Sequence, residues 1–431
     1  SYLERLRDGR ASEEVLNEKA RRVLRLIFRT AMNTDKPFGS ICSPEHYDAA
    51  RKIAGEGIVL LKNDNDVLPV DLESVKKIAV IGENAIKMMT VGGGSSSLKA
   101  QHECIPMEGI LAAVGDKAEV VYERGYVGDV TGNYNGVATG QDLSESRSEA
   151  QLIEDAVKLA KEADVVLFFG GLNKASHQDC EDSDRFGLEL PYAQDKVIEA
   201  ISKVNDNVAV IIISGNAVAM PWVDNVNAIV EAWYSGSQAG HAIADVVFGK
   251  VNPSGKLPFT FPVELDDLGA HAAGAYDRRD LSVEYKEGLY VGYRWADKYD
   301  VEPLFAFGHG LSYTDFTYGD AKAKASVKAG ADLKVSIDVT NSGKVAGKEV
   351  VQLYIGDEQA YLDRPVKELK GFKKIHLEPG ETKTVEFVIE PDMLKFFDDA
   401  KHEWVLEKGK FTAYVGASSQ DIRSEVSFEV K

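Results

Sequence analysis

The chain has 431 residues, with 50 Lys and Arg against 69 Asp and Glu, a formal net charge of −19. That excess of acid excludes binding to a nucleic-acid backbone over a broad face, because few cations are available to release counterions, and it argues equally against an anionic membrane surface. With 44% hydrophobic and 28% charged residues the composition is that of globular domains, and the length predicts roughly two to four of them. The longest apolar runs, such as Val208 to Ile213, fall far short of the roughly 18 residues a membrane-spanning helix needs. Cys42, Cys104 and Cys180 are odd in number and widely spaced, so they predict neither a disulfide framework nor a CxxC metal site.

Residues 12 to 30 read as one amphipathic helix: Ser12 can cap it, Glu13 and Glu14 suit its first turn, and Leu16, Ala20, Val23, Leu24 and Ile27 share a face. A lone helix has nothing to bury that face against. No initiator Met or signal peptide precedes it, so the chain is expected to start inside something larger. From about residue 38, β-branched runs (78–81, 165–169, 208–213, 228–233) alternate with helical segments near 45–57, 148–162 and 191–204, the last opened by Pro191 at a position that needs no amide hydrogen. Strands apolar on both faces with helices between them predict a mainly parallel sheet in an α/β sandwich domain. After about 263 a Gly- and charge-rich connector follows, and from about 314 the period switches to two, as in Leu333, Val335, Ile337, Val339 and again in Phe411, Ala413, Val415. That period predicts an all-β sandwich. The expected domains are 1–37 as a leading helix and linker, 38–262 as the α/β sandwich, 263–313 as connector and 314–431 as the β sandwich.

Several stretches could carry chemistry. Ile78 to Asn84 ends a strand but lacks GxGxxG and a following ribose-binding acid, so it reads as a buried strand reaching the sheet's carboxyl edge, where ligands bind in open α/β sheets. Gly92 to Ser97 is no P-loop, because no Lys-Ser/Thr pair follows. Its glycines permit close backbone approach and its serines suit a neutral polyol, although a plain linker has the same composition. The most informative stretch is Asn173 to Pro191, directly after a strand, where Asp179, Glu181, Asp182 and Asp184 crowd His177, Lys174 and Arg185. A hard-cation loop would place a turn Gly among its carboxylates, and none lies between Asp179 and Asp184. Two readings stay open: a solvated acidic loop, or a loop that delivers a carboxylic acid as proton donor with Arg185 fixing its geometry. No GxSxG elbow is present, and Cys180 beside so many acids reads as structural.

Taken together these segments resemble glycoside hydrolase family 3, the β-glucosidase and β-xylosidase family. Glu56 to Asn63 followed by Leu68-Pro69 looks like the entry to that family's second domain, Ile78 to Gly82 like its first strand, and Gly92 to Ser97 like its glycine-serine loop near the sugar. Glu181-Asp182-Ser183-Asp184-Arg185 with Leu188, Leu190 and Pro191 resembles the pattern EGxDRxxLxLP, while Asn252 to Pro258 and Phe307 to Tyr313 resemble two further signatures. The resemblance implies a TIM-like barrel carrying a nucleophilic Asp, an α/β sandwich carrying the acid/base Glu, and a fibronectin type III-like sandwich. Residues 12–30 then look like the barrel's last helix, and no segment resembles the barrel's nucleophile motif.

Carried over, Glu181 is the implied acid/base residue, with Gly94, Ser95, Ser96, His177, Asp184 and Arg185 as implied substrate-binding residues. Asp182 stands where the pattern has Gly; a neighbouring anion disfavours ionisation of Glu181, which suits a general acid, and Asp179 is the alternative carboxylate. The implied activity is that of a retaining β-glucosidase on β-linked glucosides or oligosaccharides, with no cofactor and no metal, and with the chain inactive unless a barrel brings the Asp. A β-xylosidase and a non-catalytic carbohydrate-binding pair are the alternatives; the second would use aromatic platforms, whereas Trp222, Trp233, Trp295 and Trp404 read as core. No nucleic-acid or membrane partner is expected, a homodimer stays open, and few cysteines with an acidic surface fit a periplasmic or secreted bacterial enzyme.

Overall fold

The computed structural model describes residues 2–37, 39–90, 98–134, 137–181, 183–276 and 282–431. They divide into two units, Ser1–His46 and Tyr47–Lys431. The first holds α1 (Tyr2–Arg7) and α2 (Glu13–Arg29). Ser12 caps α2 by accepting from Val15 N–H at 3.2 Å, as its position predicts, and no residue of the helix is buried: Val23, Leu26 and Phe28 all stand exposed.

Helix α3 (Pro44–Gly57) spans the boundary, and the second unit continues with β1 (Val59–Asn63), β2 (Lys77–Ile81), α4 (Pro106–Val114), β3 (Glu119–Glu123) and the short pair β4 (Asn133–Tyr134) and β5 (Val137–Ala138). Then come α5 (Glu149–Glu162), β6 (Val165–Gly171), α6 (Gln194–Ser202), β7 (Val208–Ile213), β8 (Ala228–Glu231) and α7 (Ala239–Val247). The sheet order is β1-β8-β7-β6-β2-β3, parallel throughout except for β1, which runs antiparallel on the edge beside β8. Alternation along β6 explains why both faces are apolar. Val166 and Phe168 enter one core with Ala156, Leu159 and Val197 of α5 and α6, while Val165, Leu167 and Phe169 enter the other with Ile110, Ile243 and Val246 of α4 and α7. Helices α4 and α7 cross so closely that a Cβ on Gly109 would overlap the Gly240 carbonyl.

Two local expectations are corrected. Helix α6 begins at Gln194, not at Pro191, because Tyr192 adopts a left-handed φ of 64° and breaks the run. The last strand of the sheet stops at Glu231, since Trp233 is also left-handed with φ 55°.

Beneath α6, Trp222 is fully buried and its Nε1–H donates to Asp195 Oδ1 at 2.7 Å. Burial pushes the Asp195 carboxyl up to about 6, against the opposing pull of that hydrogen bond. An acid raised in the folded state contributes stability below its ordinary value near 3.8 that is lost as pH climbs to about 6. The melting temperature of Asp195→Asn, measured against the parent, should therefore gain steadily between about pH 4 and pH 6; a constant difference would refute the assignment.

The connector carries α8 (Gly269–Ala272) and α9 (Tyr293–Tyr299) and is pinned to the edge strand β1 by a bridge from Leu311 to Leu60, and to the segment after α7 by a bridge from Phe305 to Phe261. Two of the motifs quoted above meet here. Asn252 Oδ1 accepts from Ser312 Oγ and Tyr313 N, both at 2.8 Å, while its Nδ2 donates to Ala346 O at 3.0 Å in the next domain. Lys256 Nζ donates to Gly310 O at 2.8 Å.

The remaining strands are β9 (Phe316–Tyr318), β10 (Lys322–Ala323), β11 (Ser326–Val327), β12 (Leu333–Asn341), β13 (Gly347–Asp357), β14 (Glu368–Leu377), β15 (Thr382–Ile389), β16 (Phe396–Asp398), β17 (Glu403–Val405), β18 (Gly409–Gly416) and β19 (Ile422–Val430). All but the separate β16–β17 hairpin form two facing sheets, β10-β12-β15 with β9 beside β12, and β11-β19-β18-β13-β14, around a core of Val335, Ile337, Leu353, Phe387, Phe411 and Val415. Strands β13 and β14, absent from the sequence expectation, complete the larger sheet.

Candidate active site

The parallel strands β6, β7 and β8 end side by side, and the loops that leave them form the site. Gly171 makes the exit from β6 possible: its φ is 112°, and a Cβ there would overlap the Ile213 carbonyl on β7. Asn173 then organises the loop. Its side-chain carbonyl accepts from Ala175 N at 2.7 Å, its backbone carbonyl from Asp179 N at 2.9 Å, and its own N–H donates to Gln178 Oε1 at 2.9 Å. Gln178 Nε2 donates in turn to Tyr192 OH at 2.8 Å, and Tyr192 stacks on the buried Tyr126 with centroids 6.5 Å apart.

Asp179 fastens the loop to the neighbouring strand end. Its carboxylate accepts from Gly215 N and Asn216 Nδ2, both at 2.6 Å, and from Tyr234 OH at 2.9 Å. Both oxygens are thus taken, and Asp179 anchors the loop. Cys180 and Ser183 pair in an antiparallel bridge, and Glu181 stands exposed in the turn that follows Cys180. His177, left-handed with φ 62°, closes the far side: its N–H donates to Ser183 Oγ at 3.0 Å and its Nδ1 lies 3.0 Å from Asp184 O. Its ring stacks on Phe186 at 4.4 Å. Asp184 Oδ2 accepts from Tyr276 OH at 2.6 Å, and Arg185 Nη1 donates to Ala217 O at 2.7 Å.

Of the residues expected from sequence, Glu181, His177, Asp184 and Arg185 therefore share one loop. His177 and Arg185 bind backbone within it or beside it, so their observed work is to shape the turn. Gly94, Ser95 and Ser96, like Asp182, lie outside the described residues. Missed from sequence were Tyr234, Asn216 and Tyr276. The first two follow the ends of β8 and β7, so the rule that sites gather at the carboxyl edge could have found them; Tyr276 in the connector carried no such signal. Of the four tryptophans expected in the core, Trp222 is buried and Trp233 and Trp295 are half-buried, but Trp404 is 65% exposed because its hairpin, β16 with β17, covers it only with the edge of Phe397. Among the described residues no group of three or more His, Cys, Asp or Glu could hold a metal ion. None of the described helices is long and apolar enough to cross a membrane.

The sheet lies where a second structural element also points. Its strand order places β2 and β6 at the point where the winding reverses, and there Glu83 is held by three donors, the buried Lys87 Nζ and Arg124 Nη2 and the half-buried Gly128 N, each at 2.7 Å. Residues 58–313 match the Glycosyl hydrolase family 3 C-terminal domain, and residues 349–419 match the Fibronectin type III-like domain. The chain belongs to glycoside hydrolase family 3. Family 3 relatives include beta-glucosidase BoGH3A of Bacteroides ovatus, 50% identical over the whole chain and 58% of the relative, and thermostable beta-glucosidase B of Acetivibrio thermocellus, 40% identical over 99% of the chain and 54% of the relative. A beta-xylosidase of Formosa agariphila is 38% identical over 90% of the chain and 50% of its own length. The crystal structure of a Bifidobacterium adolescentis GH3 beta-glucosidase superposes on the whole chain with a TM-score of 0.87, at 34% identity, covering 60% of that structure. The chain thus spans a little over half the length of these family 3 proteins, and matches their C-terminal domain as the sequence motifs imply.

Proposed function

We propose that the chain is the acid/base-bearing portion of a retaining β-glucosidase, with Glu181 as proton donor and a nucleophilic Asp supplied by a barrel outside these 431 residues. The observation that carries it is the division of labour within one loop. Asp179 is spent on three donors from the sheet edge, whereas Glu181, two residues on, is presented to solvent. A retaining glycosidase needs two carboxyl groups about 5–5.5 Å apart, one attacking the anomeric carbon and one protonating the leaving oxygen before activating water. Glu181 fills the second role. Gly94, Ser95 and Ser96 would meet sugar hydroxyls, and a periplasmic or secreted setting belongs to the same proposal. The beta-xylosidase among the relatives keeps a pentose substrate as the second reading.

The test is release of 4-nitrophenol from its β-glucoside by the purified chain. No release is expected, and turnover should appear when the barrel portion is supplied. Release that survives repurification of the chain alone would place a nucleophile among these residues and overturn the division of roles.

A further inference from the structure

A cavity of about 860 Å³ opens behind the acid loop, bounded by Lys174, Asp179, Asp184, Arg185, Tyr234 and Thr260 among others. Its acceptors are engaged. Asp179 accepts from Gly215, Asn216 and Tyr234, and Asp184 accepts from Tyr276 OH. Its donors are not. Arg185 uses Nη1 on the Ala217 carbonyl, but its Nη2 is buried and, like the buried Thr260 Oγ1, has no hydrogen-bond partner among the described residues. The Lys174 ammonium lies 4.4 Å from the centroid of the Tyr234 ring and forms no ion pair among the described residues. Burial pulls both cations below their ordinary values, outweighing the opposing field of Asp179. Buried donors without acceptors are costly, and charged ones most of all.

We propose that this cavity recognises a small organic carboxylate, whose two oxygens take up the donors of Arg185, Lys174 and Thr260. A carboxylate supplies paired acceptors and a charge together, whereas a neutral sugar hydroxyl leaves both cations uncompensated. The proposal concerns binding alone and stands whether or not Glu181 is the proton donor. Uronate sugars and acidic aromatic aglycones both carry the group.

The experiment is calorimetric titration of the purified chain with glucuronate, benzoate, glucose and inorganic phosphate. Glucuronate or benzoate should bind at least tenfold more tightly than glucose; preference for the first assigns uronates, and preference for the second assigns acidic aglycones. Lys174→Met combined with Thr260→Val should weaken that binding at least tenfold with an unchanged melting temperature, and the single Thr260→Val should weaken it less. Glucose or phosphate binding as tightly as both carboxylates, or carboxylate binding undiminished in the double variant, would overturn the proposal. No hydrolysis is read, so failure of the glucosidase reading leaves this result interpretable.

Discussion

If the proposed assignment is right, Glu181→Gln in the chain joined to a barrel portion is expected to lower kcat for an alkyl β-glucoside by about 10²- to 10⁴-fold, the range a positioned general acid/base contributes. Gln keeps the shape of the side chain and removes its proton chemistry, so glucoside binding should change little. The effect should depend on the leaving group. A dinitrophenolate departs without protonation, so bond cleavage for that substrate should suffer far less, and the slow step becomes hydrolysis of the glycosyl-enzyme, visible as a burst of released phenolate. An equal loss of kcat/KM for good and poor leaving groups, or no loss at all, would remove Glu181 from the proton-transfer role. A carbohydrate-binding pair would register no effect on turnover, which separates the two functional classes in one experiment.

Glu83→Ala should be strongly destabilising to the α/β domain. The parent carboxylate is 1% exposed and compensates Lys87, which is 1% exposed, and Arg124, at 5%. Removing it leaves two cations in a dry interior, where breaking a buried pair costs about 3–5 kcal/mol. Lys87 retains its bond to the Asp129 carbonyl at 3.0 Å, which keeps the cost within that range rather than above it. Urea unfolding monitored by tryptophan fluorescence measures the change. A loss under about 1 kcal/mol would mean that water reaches the cations and that the cluster is not the dry anchor its burial implies. Glu83→Gln should fall between, because an amide oxygen can still accept from one of them.

The sheet was readable because Val165 to Phe169 and Val208 to Ile213 are apolar at every position, which only a strand covered on both faces tolerates. Direction was not readable: Val59-Leu60-Leu61 looks the same parallel or antiparallel, and what turns β1 over is its pairing with β8. Strand β14 escaped because Lys370, Lys373 and Lys374 break the alternation; it packs at the outer edge of its sheet, where a fully apolar face is not required. At the site, the acidic loop could be located from its residues, yet the roles of its acids could not. The motif resemblance points to Glu181 with Asp179 as the alternative, but residue chemistry alone does not separate the two. They part only when Gly215, Asn216 and Tyr234, up to 55 residues away in the chain, converge on the first of them.

That convergence also limits how far catalysis can reach. With Asp179 fixed to the sheet edge, the Glu181 backbone is tethered at two residues, and an extended chain covers about 3.3–3.6 Å per residue, so its Cα can explore a sphere of only about 7 Å radius. On the other side Arg185 holds the loop through Ala217. In the proposed role, Glu181 is thus a short-armed proton donor. Under that proposal a sugar to be cleaved is carried to Glu181, and the geometry of this sheet edge sets where its glycosidic oxygen must lie before a substrate arrives.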